Sequence, residues 1–465
     1  MKALHFAATL GGLFASLAPL SQANVILPRI FGDHMVLQRN EAVEIWGFAN
    51  AGEEVTVTAS WADDAVATVK TPPTGHWSVH LQTPDAGGPY TIHLKGYNEV
   101  ELADVLIGEV WLCTGQSNMQ WNTKDIDDGD QIVAAADHPN IRLFTVEHVS
   151  AEDPQIDLYG QWQPCTPDSV PYFSAIGYIF GRELNQELDV PIGLVSTNWG
   201  GTSAEVWIPA EAIKINPQLR EDQAKFTPVE WGPIAPGSLY NAMIAPLIPY
   251  NIAGAIWYQG ESNVGMSRDY AELIGTLVST WRNAWDDDFS FYLAQIAPWT
   301  YGEEGHAGAK MRDDQRRAAE QIPNSGLVVT SDTVTDTTNI HPTNKVPVGQ
   351  RFAKLALAQH YGLDVAYSGP MYDHWEAEGS KARIYFRHAD GLHTDGKSVD
   401  LFEIAGEDGE FYPAQAEIDG DTVVLSSPQV EHPTGVRYAW GNTDVVTLFN
   451  GDDLPAPTFQ SAPRP

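Results

Sequence analysis

Apolar residues follow three rhythms along this 465-residue chain. Between about 24 and 103 they occur in short β-branched runs broken by Gly and Asn, as in MVLQRNEAVEIWGFANAGEEVTVTASW and HWSVHLQTPDAGGPYTIHLKGYN. Short runs bounded by turn residues predict a small β-sandwich there. Nearly unbroken apolar runs come next: VLIGEVWLC (105–113), IGLVST (192–197), IAGAIWY (252–258), FSFYLAQIA (289–297) and GLVVTS (326–331). Such runs fit strands covered on both faces, the condition of a parallel sheet. Between them the spacing turns helical. Ile176, Phe180, Leu184 and Leu188 recur every four residues, and Tyr270, Ile274, Leu277, Trp281 and Trp285 form a second stripe. Strand and helix in alternation predict an α/β layered fold over 104–362. From 363 to 465 short strands and turns return, and a second β unit is expected.

In an open α/β sheet, ligands gather beyond the carboxyl ends of the strands. The first run is followed by Thr-Gly-Gln-Ser117-Asn and the second by NWGGTSAEVW, which holds Gly200 and Gly201. The third is followed by Gln259-Gly-Glu-Ser262-Asn263, and the last by DTVTDTTNIHPTNK with His341. One sheet would bring all four segments to one rim. They contain the parts of acyl transfer: a serine hydroxyl, a histidine to take its proton, and glycine N–H groups or side-chain amides to receive an oxyanion. Each part also has a plain structural reading, as a turn serine, a tight glycine loop or a histidine before proline. Their shared position favours chemistry. The elbow Gly-x-Ser-x-Gly, Gly-x-Gly-x-x-Gly and HExxH are absent, and two cysteines do not make a four-cysteine zinc site. No metal and no cofactor is expected.

The N-terminus, MKALHFAATLGGLFASLAPLSQANV, has an early lysine, a short apolar run and a small-residue SQA ending. It predicts a signal peptide over 1–23, hence a secreted or periplasmic protein with no membrane insertion after cleavage. The formal net charge is −35, which repels nucleic acid and anionic lipid and removes both as expected partners. Cys113 and Cys165 either pair in an oxidising compartment or sit as two buried thiols.

The segments GEVWLCTGQSNMQW, STNWGGTSAEVW, SLYNAMIAPLIPY, IWYQGESN and IHPTNKVPVGQR together resemble the bacterial sialate O-acetylesterases of the SGNH hydrolase superfamily. ILPRIFGDHMVLQR and VRYAWGNTDVVTLFNGDDLPAPTF are similar too, so the likeness spans nearly the whole mature chain. It implies a flavodoxin-like parallel sheet flanked by helices, with the two β units appended. It also implies Ser117 as nucleophile, His341 as base, Gly200 or Gly201 as an oxyanion donor, and Gln259 or Asn263 as the amide donor. Ser262 becomes a loop serine beside that site. Family members usually place an aspartate two residues before this histidine, the wider superfamily three before; here Asn339 and Thr338 stand there. Asp336 is the first choice for the orienting acid, Asp332 the next nearest carboxylate, and a Ser–His dyad the third option.

The activity implied is removal of acetyl groups from sugars. Sialate is the first substrate and acetylated xylan, or another plant polysaccharide, the alternative; an inactive carbohydrate-binding protein is the reading from another class. A sialate enzyme needs a basic patch, for which Arg268, Arg312 and Arg316 are candidates. Trp121, Trp199 and Trp207, among 15 tryptophans, are candidates for stacking on neutral sugar rings. Oligomeric state is open.

Overall fold

The computed structural model describes residues 25–302, 305–396 and 398–461. The expected signal peptide, 1–23, lies outside the described residues. The central-sheet strands are numbered here β1 (Glu99–Gly115), β2 (His138–Thr145), β3 (Trp162–Cys165), β4 (Ile192–Asn198), β5 (Gly254–Tyr258), β6 (Ser290–Ala294) and β7 (Ser325–Val328). Their spatial order is β7-β6-β5-β1-β4-β2-β3. Neighbours run parallel except β2 and β3, which are antiparallel. The sheet is therefore mixed rather than purely parallel. An edge strand has only one neighbour and so tolerates either direction.

The helices that matter for the site are α1 (Ser117–Gln120), α2 (Ala175–Leu188), α3 (Tyr270–Trp285), α4 (Ala307–Gln321) and α5 (Val346–Gln359). Successive residues of each central strand enter opposite cores, as the pleat requires. Val110, Leu112, Ala255, Trp257, Phe291 and Leu293 pack with Leu277 and Trp281 of α3 and Met311 of α4. Trp111, Cys113, Ile256, Tyr258, Tyr292 and Ala294 pack with Ile176 and Phe180 of α2 and Phe352 of α5. Each such burial of a large aliphatic or aromatic side chain stabilises the fold by about 1.5–3 kcal/mol. The apolar runs are continuous because both faces are covered. Helix starts are set locally: the Ser174 Oγ accepts from Gly177 N–H at the start of α2, and the Asp269 carboxylate accepts from Ala271 and Glu272 N–H at the start of α3.

Strand β1 also joins the regions. Its first half pairs with Gly87–Lys95 and Val36–Gln38, and its second half lies between β4 and β5. The boundary expected at 103/104 falls inside this strand. Beyond α5, Met371–Glu378, Lys381–Arg387, Thr422–Ser426 and Gln415–Asp419 form one antiparallel sheet. A second contains Phe411–Pro413, Phe402–Ala405, Gly435–Tyr438 and Phe459–Gln460. Cys113 and Cys165 are free, buried thiols, both pushed up by burial, Cys165 to about 12. The disulfide reading is set aside.

Candidate active site

Strand order reverses at β1: β4 lies on one side and β5 on the other, a topological switch point. Strand β1 ends at Gly115 with φ of +131°, and a Cβ there would lie 2.2 Å from the Tyr258 carbonyl oxygen. Only glycine accepts both that backbone and that approach. Gln116 N–H then donates to the Tyr258 carbonyl, and α1, a four-residue helical turn, begins at Ser117. The Ser117 Oγ lies 2.8 Å from the His341 Nε2.

His341 comes from the loop between β7 and α5. Asn339 braces that loop, its Oδ1 accepting from His341 N–H at 3.0 Å and its Nδ2 donating to the His341 carbonyl at 2.9 Å. Asn118 Nδ2 donates to the Ile340 carbonyl at 3.1 Å, and the Trp121 ring stacks on the imidazole at 4.7 Å. Burial, and then the charge of Lys345, hold His341 below its ordinary pKa. That keeps the ring neutral, as a proton acceptor must be.

Asp336, expected to orient His341, does not reach it. Its Oδ1 accepts from Thr338 Oγ1–H and N–H at 2.7 and 2.9 Å, and the residue is exposed. Those bonds hold it below the usual carboxylate range. A carboxylate three residues from Asn339 on a short turn closes an Asx-type turn on its own backbone instead of extending to the ring. Asp332 is taken by Arg351, with oxygens 2.7 and 2.6 Å from the guanidinium. Among the described residues, no carboxylate hydrogen-bonds to the His341 ring.

Sequence reasoning missed a buried polar chain beneath the pair. Lys345, which precedes α5, donates to the Asn118 Oδ1, and the Asn118 Nδ2 donates to the Glu261 Oε1 at 2.6 Å as well as to the Ile340 carbonyl. Burial raises the Glu261 carboxyl and lowers the Lys345 ammonium to about 7. Buried charges persist only when such bonds satisfy them. The signal was present as Asn118 of the first Gly-x-Ser-Asn stretch, read for its serine alone.

The proposed oxyanion groups divide. Gly200 lies beside the serine, a Cβ on it meeting the Ser117 Cβ at 3.2 Å, and its N–H donates to the Gln120 Oε1 at 2.6 Å. Gln259 and Asn263 do not line the cavity at Ser117. Gln259 Nε2 donates to the Thr202 carbonyl and the Asn263 Oδ1, at 3.1 and 2.7 Å. Asn263 Nδ2 donates to both oxygens of buried Glu205, at 3.2 and 3.0 Å. Their donors are spent on tying the β4 and β5 loops together. Gln116 does line the cavity; its Oε1 accepts from Gly260 and Ser262 N–H at 3.4 Å each, which leaves its Nε2 as a donor. Gly201 and Ser262 line the cavity too.

That cavity has a volume of about 550 Å³. The three arginines considered for a carboxylated sugar lie elsewhere. Arg268 pairs with Glu221 and Asp222. Arg312 is buried and clamps Thr458 and the Gly441 carbonyl of the C-terminal unit. Arg316 pairs with Asp313 and Glu320. Of the tryptophans, Trp207 is fully buried in the core, Trp121 lies on His341, and Trp199 stacks on His148 at 4.4 Å.

Residues 107–358 match the family described as carbohydrate esterase, sialic acid-specific acetylesterase. The chain is 28% identical to the sialate O-acetylesterase of Rattus norvegicus over 500 aligned residues, 92% of each chain. It is 29% identical to that of Homo sapiens, covering 80% of this chain and 78% of the human one. Among solved structures it resembles a carbohydrate acetylesterase from Xanthomonas citri, with a TM-score of 0.87 and 36% identity, over 95% of this chain and all of that one.

Proposed function

Since the chain belongs to the sialic acid-specific acetylesterase family of carbohydrate esterases, and so to the carboxylic ester hydrolases, we propose that it deacetylates sugars through Ser117 and His341. The carrying observation is the 2.8 Å contact between Ser117 Oγ and His341 Nε2. Ser117 attacks the acetyl carbonyl carbon while His341 takes its proton. The tetrahedral oxyanion is received by the N–H groups of Ser117 and Gly200 and by the Gln116 side-chain amide; the first N–H groups of a helical turn have no acceptor inside it. Gly200 joins this set where the acetyl oxygen replaces the Gln120 Oε1 that its N–H bonds at 2.6 Å. Collapse expels the sugar oxygen, which takes the proton from His341 and leaves an acetyl-serine. Water, losing a proton to His341, then releases acetate and restores the serine. With the loop braced by Asn339, Asn118 and Trp121, the pair works as a dyad.

Within this reading the substrate is an O-acetylated sialic acid, the substrate in the name of its relatives, or an acetylated neutral glycan such as xylan. Membership of the SGNH superfamily is supported by Ser117 following the first strand of the parallel core. Export rests on the composition of residues 1–23, and N-terminal sequencing of the mature protein tests it. The mechanism is tested by acetate release from 4-nitrophenyl acetate together with mass spectrometry of the Ser117 peptide. A transient acetyl group on Ser117 is expected; acetylation elsewhere, or turnover by Ser117→Ala at the normal rate, overturns it.

A further inference from the structure

Taking the acetylesterase reading as its premise, we propose that Trp231 is a stacking platform at the cavity mouth and that the sugar placed on it is neutral, without a carboxylate. The cavity that holds Ser117 and His341 is also lined by the apolar residues Phe226, Val229, Trp231, Pro233, Ile234 and Met266. Trp231 is 64% exposed, whereas Trp121, Trp199 and Trp207 have covered or occupied rings. A large indole left in water forgoes burial that a ligand can supply. Its placement is built. Gly201 has φ of +76°, and a Cβ there would meet the Trp231 Cδ1 at 2.3 Å, so the missing side chain is what lets the indole rest against the β4 loop. The backbone fastens the loop: the Trp231 carbonyl accepts from Trp199 Nε1 at 2.9 Å, and Trp199 is held against His148 with an interplanar angle of 8°. The Trp231 side chain is therefore positioned without being the brace.

Charge decides the class of sugar. Among the described residues lining the cavity there is no lysine or arginine; the titratable ones are Glu261 and His341. A sugar carboxylate entering this site gains no ion pair, faces the acidic field of a chain with net charge −35, and loses its hydration. A neutral pyranose has apolar C–H faces that stack on an aromatic ring at no such penalty.

The test compares wild type, Trp231→Ala and Trp231→Phe on 4-nitrophenyl acetate, acetylated xylo-oligosaccharides and O-acetylated sialic acid. Expected for Trp231→Ala are a KM for the xylo-oligosaccharide raised roughly tenfold with kcat kept, a clearly smaller change in kcat/KM on the small ester, and recovery of most of the glycan loss by Trp231→Phe. Wild type should prefer the xylo-oligosaccharide over the sialic acid. Equal losses on the small ester and the glycan would show a structural tryptophan and overturn the platform. Unchanged kinetics on the glycan, or a preference for sialic acid, would overturn it while leaving the acetylesterase reading standing. No acetate from either sugar would overturn both.

Discussion

The loops Gly115–Asn118 and Gly260–Asn263 share the spelling Gly-x-Ser-Asn, yet Ser117 faces His341 while Ser262 donates its backbone N–H to Gln116. They follow adjacent parallel strands, and the register explains the divergence. Gly115 of β1 pairs with Tyr258 of β5, so the second tetrapeptide begins two residues later along the sheet. A strand rises about 3.3 Å per residue, so the same letters leave the sheet at different heights. The asparagines differ likewise. Asn118 joins Lys345, Glu261 and the Ile340 carbonyl beside the histidine, whereas Asn263 joins Glu205, Gln259 and Ala204 N–H deeper in the loops. Position relative to a neighbouring strand, not spelling, separates the two.

The largest way to break this comparison is at the serines. Ser117→Ala should lower kcat for 4-nitrophenyl acetate by about 10⁴-fold or more, and Ser262→Ala by only a few-fold. The reverse ranking would sink the assignment. At the asparagines the effects should part in kind. Asn118→Ala should lower kcat by roughly 10- to 100-fold, because the His341 loop loses its bond at Ile340. Asn263→Ala should chiefly lower Tm, since buried Glu205 is left unpaired at a cost of about 1–3 kcal/mol. Paired kinetics and thermal melts separate these outcomes, and two variants alike in both would remove the distinction.

A finer probe is Lys345→Met. The lysine's charge is one cause of the depressed His341 pKa, so its removal should move the acid limb of kcat/KM to higher pH. In wild type that limb lies below the ordinary histidine value, because rate is lost only as His341 protonates. A limb that stays put or moves lower would mean Lys345 does not act on the ring. The smallest effect belongs to Asp336→Asn, expected within about twofold of wild type because its carboxylate bonds only its own turn. A loss of an order of magnitude would restore Asp336 as the orienting acid.

The strands of the layered core are legible because burial on both faces leaves unbroken apolar runs: VLIGEVWLC lies in β1 and IAGAIWY contains β5. The antiparallel edge strand Trp162–Cys165 is not, since WQPC has no run to read and owes its pairing to β2. The candidates Ser117, Gly200 and His341 can be picked out from the segments just beyond the strand ends. Gln116 escapes notice because the serine beside it draws the chemistry, and Gln259 and Asn263 attract it because amides close to a glycine loop look available.

Local pattern, then, determined where strands and helices run and which loops share a rim, because pleat and helix periods are written in consecutive residues. The tertiary structure alone decided which donors remain free, that neither Asp336 nor Asp332 reaches the histidine ring, and what charge the cavity presents. Those depend on contacts as distant in sequence as Ser117 and His341, or Asn118 and Lys345, and a hydrogen bond requires about 3 Å and a direction that no spacing encodes.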